Sequence, residues 1–302
     1  MMDRTATIGF IGLGVMGGPM CRNMALKHGG PLIAFDMAPN AATILDGTKA
    51  ELAPSISALA ATADIVFLSL PGGPQVESVC TELARHLRKG AVIVDLSTTS
   101  VALARAVEAM LAPSGIAFAD APVARTREAA QKGQLSVMVG APDALYASIR
   151  PFIDMIASDV SHGGRVGTGQ VLKLVNNMLV FEHVVALAEM MVVAERAGVS
   201  PEVLLDAVSK GSGDSFVLRN HGRKAMLQRA FPDKAFPPEY VLKDIGYVLE
   251  LAQANGVHAK AAELAQRYFQ GAVAGGFGGR YFPVVLELIE KESAPVGAAQ
   301  AP

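Results

Sequence analysis

The chain is poor in two things that organise many small proteins, cysteine and unbalanced charge. Its two cysteines, Cys21 and Cys80, match no metal-ligand or redox spacing, which excludes a disulfide framework, a thiolate metal site and Cys-x-x-Cys chemistry. Isolated thiols of this kind read as small hydrophobes in a reducing compartment. Lys and Arg number 26 against 28 Asp and Glu, a formal charge of -2, so there is no global attraction for nucleic acid or for an acidic lipid surface. Any anion must be handled locally. "MMDRTA" runs straight into a strand-like apolar run and lacks the design of a signal peptide. The longest apolar region, 171–194, is interrupted by Lys173, Glu182 and Glu189 and does not read as a membrane span. These absences lead us to expect a cytoplasmic protein without a nucleic-acid partner, a membrane partner or a metal.

What is present is a large apolar fraction, 51%, in a chain of 302 residues, enough for two ordinary domains. The first half alternates short β-rich runs with helical stretches, the pattern of a parallel sheet covered on both faces. "TIGFIG", "LIAFD", "DIVFLSL", "AVIVDLS" and "IAFADAPV" read as buried strands, and "LSVMVG" as a further candidate. Beyond about residue 165 the β pattern stops. "GTGQVLKLVNNMLVFEHVVALAEMMVVAERAG" holds a helical pattern for about 45 Å and is apolar over much of its circumference. Burial on several sides, by its own domain and by a partner subunit, would account for that. Shorter helices are expected around 201–210, 239–255, 257–272 and 283–291, and no internal repeat is visible. The tail 293–302 lacks core-forming residues and reads as disordered.

"GFIGLGVMGGPM" contains Gly12, Leu13, Gly14, Val15, Met16 and Gly17 in the order Gly-x-Gly-x-x-Gly. The three glycines suit a tight turn, close backbone approach to a pyrophosphate, and close packing of helix on strand. A strand precedes and a helix follows, aiming N–H groups and the positive end of its dipole at the phosphates. Asp36, ending the next strand, is placed to accept hydrogen bonds from a ribose, which favours NAD over NADP; its other reading is a turn residue. "LSLPGGPQVESV" supplies a second loop, with Leu70 and Pro71, at the carboxyl edge of the sheet, near the cofactor or simply a turn. The fold class that follows is α/β: an N-terminal Rossmann-like doubly wound sheet over 1–165 that binds NAD, and a C-terminal all-helical domain over 166–292 for substrate and oligomerisation. A long interdomain helix joins them.

On that helix Lys173 and Asn177 are four apart and share a face. An ammonium group in so apolar a helix is costly to bury without a partner. Either Lys173 snorkels to the surface, or it serves as proton donor and acceptor for a carbonyl receiving hydride, with Asn177 orienting lysine and substrate. "YVLKDIGYVLELA" carries Lys243, which near Lys173 would disfavour protonation of both, and which could equally be an exposed helix lysine.

"GFIGLGVMGGPM", "FADAPV…G", "GTGQVLKLVNN" and "VLKDIGYVLELA" stand in the order and spacing of the β-hydroxyacid dehydrogenase family, and the chain resembles that family from Ile8 to about Glu292. The resemblance implies a catalytic lysine at Lys173 and an active-site role for Lys243 toward substrate and cofactor. It further implies that Ser97 and Thr98 lie beside the nicotinamide, and that homodimers or homotetramers pack through the helical domains.

One segment departs from the family pattern. In "DAPVARTREAAQKGQL" the positions where the family carries Ser-Gly-Gly to grip a substrate carboxylate are Ala124, Arg125 and Thr126. A guanidinium offers a rigid fork to an oxyanion, and the Arg-Thr pair resembles that of family members acting on sulfolactaldehyde. The leading expectation is therefore a 3-sulfolactaldehyde reductase. The alternatives are reductases of tartronate, methylmalonate or succinic semialdehyde, a 3-hydroxyisobutyrate-type dehydrogenase, and, from another reaction class, an imine reductase, which the presence of Lys173 disfavours. A non-catalytic dinucleotide sensor is a third class. Arg125 turned to solvent or to an acid is the plain reading of the same residue. Arg127 is expected at the surface, opening a helix, and Arg280 is either a second anion contact or a surface charge.

Overall fold

The computed structural model describes residues 3, 5–233 and 235–293. The chain forms two compact units, 1–173 and 174–302, and the break falls inside its longest helix. The tail from 294 on, expected to be disordered, lies outside the described residues.

The first unit is built on a nine-stranded sheet. Six strands are parallel: β1 (Ile8–Ile11), β2 (Leu32–Phe35), β3 (Glu51–Leu52), β4 (Ile65–Leu68), β5 (Val92–Asp95) and β6 (Ala117–Asp120), in the order β3-β2-β1-β4-β5-β6. Alternate side chains feed opposite layers. Ile8, Phe10, Ile65, Phe67, Val92 and Val94 enter one core, and Ile11, Val66, Leu68 and Ile93 enter the other. Burial on both faces is why these strands read as unbroken apolar runs. Helices cover the faces: α1 (Gly17–Lys27), α2 (Ala41–Ile44), α3 (Ile56–Ala60), α4 (Gly73–His86) and α5 (Val101–Leu111). The order of the strands reverses between β1 and β4, so the loops that follow them flank a crevice at the carboxyl edge.

Beyond β6 the sheet continues with β7 (Val123–Ala124), α6 (Arg127–Lys132), β8 (Leu135–Gly140), α7 (Asp143–Ile153) and β9 (Ala157–Gly164). β8 runs antiparallel to β6 and β7 and parallel to β9. Three strands were not expected from the sequence. β3 and β7 are two residues long, and β9, "ASDVSHGG", has no buried residue and only two apolar side chains, so none carries an extended apolar signature.

The helix α8 (Thr168–Arg196) runs for 29 residues from the first unit into the second. By length and composition it could cross a membrane, a property that buried core helices share. The second unit contains the rest of α8, α9 (Pro201–Val208), a π-helical stretch over Leu218–Met226, α10 (Pro238–Ala254), α11 (Lys260–Ala272) and α12 (Val285–Glu292). Its core gathers on Phe181, whose ring meets those of Phe269 and Phe282 edge-on at 6.0 and 5.7 Å. Val175, Leu179, Met190 and Val193 of α8 remain exposed.

Candidate active site

The glycine loop lies in the crevice between β1 and β4. Gly12 has φ +96°, and a Cβ there would sit 2.2 Å from the Ser69 carbonyl oxygen; at Gly17 a Cβ would meet Gly12 O at 1.9 Å. Only glycine permits this turn and this approach of α1. A Cβ on Gly14 would meet nothing within 4 Å, so the backbone there faces open space. α1 has no side-chain cap and no acid in its first turn, whereas α3, α5 and α6 are capped by Ser55, Ser100 and Thr126. A bare helix N-terminus beside an open glycine is the cradle a pyrophosphate requires. The residues thus fit a dinucleotide. An open groove of about 710 Å³ follows the loop, lined by Leu13, Gly14, Val15 and Asp36 and, from α6, by Arg127. Met16 occupies the cap position of α1. Asp36 is half buried and binds the loop itself, its Oδ2 accepting from Leu13 N at 2.5 Å and its Oδ1 from Ala38 N at 2.7 Å.

The loops after β4 and β5 are joined. Leu70 N, beside Pro71, donates to Ser97 Oγ at 2.9 Å, and Ser97 N donates to Asp95 Oδ1 at 2.9 Å. On either side of Thr98 the backbone is held by Gln170: Thr99 N donates to Oε1 at 3.1 Å, and Nε2 donates to Ser97 O at 2.9 Å. Asp120, at the end of β6, accepts from Gly167 N and from Gln170 N, both at 2.7 Å. The first turn of α8 is therefore capped by a carboxylate 47 residues upstream of Gly167. Burial raises the Asp120 carboxyl to about 6, the bonds from Gly167 and Gln170 working against that rise. Neither Asp120 nor Gln170 stands out as a site residue in the sequence, although they lie in the FADAPV and GTGQVLKLVNN motifs. For Gln170 the one signal was an uncharged polar side chain three residues before Lys173, at the apolar start of the helix; Asp120 carried none.

Lys173 is buried at 9% exposure, one turn beyond Gln170. In the second unit, Asn177 Nδ2 donates to Asp244 Oδ2 at 2.7 Å, and Asn176 Nδ2 donates to Asn177 Oδ1 at 3.2 Å, so both ends of the Asn177 amide are engaged. Asp244 is itself buried, with Lys243 Nζ 3.3 Å from its Oδ1. Lys243 Nζ also lies 5.8 and 5.6 Å from the ring centres of Tyr240 and Tyr247. It is thus the cation of an ion pair with Asp244.

In the structure without ligand, the guanidinium of Arg125 is engaged by the chain itself. Arg125 Nη1 donates to Gln134 O at 2.8 Å and to Ser158 Oγ at 2.7 Å, and Nη2 to Asp159 Oδ2 at 2.7 Å. Its side chain is 43% exposed, and its backbone has φ +85°, the region that favours glycine. Thr126 Oγ1 accepts from Ala129 N and caps α6, while Ala124 is buried in β7. Arg280 forms a two-pronged pair with Glu287 at 2.6 and 3.0 Å and lies over Phe231 and Phe277, a packed structural arrangement. Cys21 and Cys80 are buried and unjoined, and burial pushes both thiols up. Among the described residues no three His, Cys, Asp or Glu side chains are grouped to hold a metal ion.

Comparison with known proteins places these features in context. Residues 7–164 match the family model described as the NAD binding domain of 6-phosphogluconate dehydrogenase. Residues 167–289 match that described as the NAD-binding of NADP-dependent 3-hydroxyisobutyrate dehydrogenase. The chain is 34% identical over 295 residues to 2-(hydroxymethyl)glutarate dehydrogenase of Eubacterium barkeri, covering 96% of this chain and 97% of the relative. It is 30% identical over 291 residues to the NAD-dependent L-serine dehydrogenase of Pseudomonas aeruginosa, covering 94% and 97%. Among solved structures, 3-hydroxyisobutyrate dehydrogenase of Mycobacterium tuberculosis with L-serine superposes with a TM-score of 0.87 at 28% identity, covering 96% of this chain and all of that one.

Proposed function

Because the chain belongs to the β-hydroxyacid dehydrogenase family, we propose that it interconverts a small 3-hydroxy carboxylic acid and its semialdehyde with NAD, using Lys173 as proton donor and acceptor. The observation that carries this reading is the buried lysine one turn beyond the residue that ties the helix to the Ser97 loop. When bound, the nicotinamide supplies or accepts the hydride; every other role belongs to the residues of the chain. Gly12, Gly14 and the bare start of α1 hold the pyrophosphate. The Asp36 carboxylate accepts from ribose hydroxyls and repels a 2′-phosphate, hence NAD over NADP. Ser97 and Thr98, with Leu70 and Pro71, border the nicotinamide. Lys173 takes the hydroxyl proton on oxidation and returns it on reduction. Asn177, fixed by Asp244, orients the substrate.

The acid is read here as a carboxylate. Arg125 and Thr126 both bond to the chain itself at its surface, to Asp159, Ser158 and Gln134 and at the α6 cap. The substrates named by the relatives, 2-(hydroxymethyl)glutarate, 3-hydroxyisobutyrate and L-serine, all carry a primary alcohol on the carbon next to the one that bears a carboxylate. One observation favours the sulfonate of 3-sulfolactaldehyde as a second reading: a non-glycine residue is kept at φ +85° in the segment that should face the acid. The exposed stripe of Val175, Leu179, Met190 and Val193 on α8 supports a homo-oligomer, dimer or tetramer; a cytoplasmic location remains part of the same proposal.

Initial rates with NADH and NADPH over a panel of carboxylated and sulfonated semialdehydes test this directly. Lys173→Ala should lower kcat by about 10²- to 10⁴-fold, the contribution of a positioned proton-transfer group. Turnover undiminished in that variant would remove the mechanism, and preference for sulfonates would select the second reading.

A further inference from the structure

We propose that Gln170 is a positioning residue: its side-chain amide pins the Ser97–Thr99 loop to the first turn of the helix that carries Lys173, and Asp120 fixes that turn. The inference rests on the reading of Lys173 as the proton-transfer group.

Gln170 is fully buried, where a polar amide is tolerated only if both of its ends are bonded. Both are, and to the two peptide groups that flank Thr98, Ser97 O at 2.9 Å and Thr99 N at 3.1 Å. Such an arrangement fixes the loop in position and in rotation, as a single bond could not. The pin's other end is equally constrained. Asp120 holds the Gln170 and Gly167 amides at 2.7 Å, and two glycines leave that carboxylate its room. A Cβ at Gly140 would sit 2.3 Å from Asp120 Oδ1, and one at Gly169 2.9 Å from Oδ2. Lys173 lies three residues beyond Gln170, on the same side of the helix and about 4.5 Å along its axis. The loop is in turn tied to β4 by the Leu70–Ser97 bond. A displacement at the pin therefore changes where Lys173 stands relative to the Ser97–Thr98 backbone. Misplacement by about 1 Å can lower a rate 10²-fold without removing any reacting group.

Two substitutions and one control test the pin. Gln170→Met fills the space and deletes both bonds. Gln170→Glu keeps the shape, but when ionised it sets a carboxylate against Ser97 O; when protonated it restores a donor there. In the protein without cofactor, the Thr99 amide should exchange its hydrogen at least about tenfold faster in Gln170→Met, since its protecting bond is gone. kcat should fall by about 10- to 100-fold, with NADH affinity by fluorescence titration nearly unchanged. Gln170→Glu should regain kcat relative to the native enzyme as pH falls, because burial raises a carboxyl toward neutral pH. That recovery is not expected of a merely destabilised protein, and Gln170→Glu serves even if Gln170→Met does not fold. Unchanged Thr99 exchange, or a kcat ratio for Gln170→Glu that is flat with pH, would overturn the proposal. Lys173→Ala separates the two ideas: if it turns over normally the proton assignment fails, while the exchange measurement still reports on the pin.

Discussion

Asp120 and Arg125 are five residues apart in one motif and differ in almost every physical respect. Asp120 is wholly buried, and its two carboxylate oxygens hold the start of a 29-residue helix. Arg125 stands at the surface, its guanidinium shared among Asp159, Ser158 and the Gln134 carbonyl. A charge-assisted bond in a dry site contributes about 1.5–3 kcal/mol, and an exposed ion pair about 0–1. The residue whose charge stands out in the sequence is thus weakly committed, and the one that reads as an ordinary strand end is strongly committed. Charge in a sequence shows where an ion can act; burial decides how much it does.

The sharpest way to test that contrast is Asp120→Asn. Its amide has one acceptor where the carboxylate has two, so a donor must face the Gly167 or the Gln170 N–H. Leaving a buried donor unsatisfied should destabilise the fold by about 1–3 kcal/mol. The pH dependence carries a sign. A carboxyl whose folded value is raised from 3.8 to about 6 favours protonation on folding. Its contribution to stability is complete below 3.8, is lost as pH rises through about 6, and corresponds to roughly 3 kcal/mol. The gap in melting temperature between native protein and Asp120→Asn should therefore widen from pH 7.5 to pH 5. A gap that narrows over that range would mean that Asp120 is not the buried carboxyl described.

Asp36 lies between the two extremes, half buried and bonded to the Leu13 and Ala38 amides. Asp36→Asn keeps the shape and removes the charge. Stability should change little, while the preference for NADH over NADPH, as a ratio of kcat/KM, should fall about tenfold, the equivalent of about 1.4 kcal/mol. An unchanged ratio would make Asp36 a brace for the glycine loop and nothing more.

How much of this could be read from the sequence follows the same division. The strands β1, β2, β4, β5 and β6 are apolar throughout because helices cover both sheet faces, and the helices of the second unit show ordinary amphipathic periods. β9 has no apolar run because none of its residues is buried, and its pairing with β8 is made by backbone. The glycine loop was legible because glycine alone tolerates φ +96° at Gly12. The Asp120–Gln170 pin was not, since its members are 50 residues apart and the bonds run from side chain to backbone, leaving no spacing or complementary charge to notice. For Arg125 the sequence supplied the group but not its direction. Asp159 and Ser158, which claim the guanidinium, come from the strand that the pattern concealed.

The smallest expected effect, and the one that most sharpens the contrast, is that of Arg125→Gly. Glycine should relieve the φ +85° backbone by about 1 kcal/mol, and loss of the exposed contacts with Asp159, Ser158 and Gln134 O, whose groups return to water, should remove about as much. A flexible residue also adds about 0.4–1 kcal/mol of unfolded-state entropy. These changes nearly cancel, so the melting temperature should move by no more than the equivalent of about 1 kcal/mol. That near-neutrality makes the variant a clean probe of specificity, because any change in rate cannot be blamed on the fold. If the guanidinium stays with Asp159 during turnover, kcat/KM should shift by the same small factor for carboxylated and sulfonated semialdehydes. If it leaves that weak pair to hold an oxyanion, the loss should be confined to the acid it holds and reach tenfold or more, since a charge-assisted contact contributes about 1.5–3 kcal/mol. A selective loss on sulfonates would show that a surface charge can be held in reserve for a ligand, and the division between buried and exposed charge drawn above would then apply only to the protein without substrate.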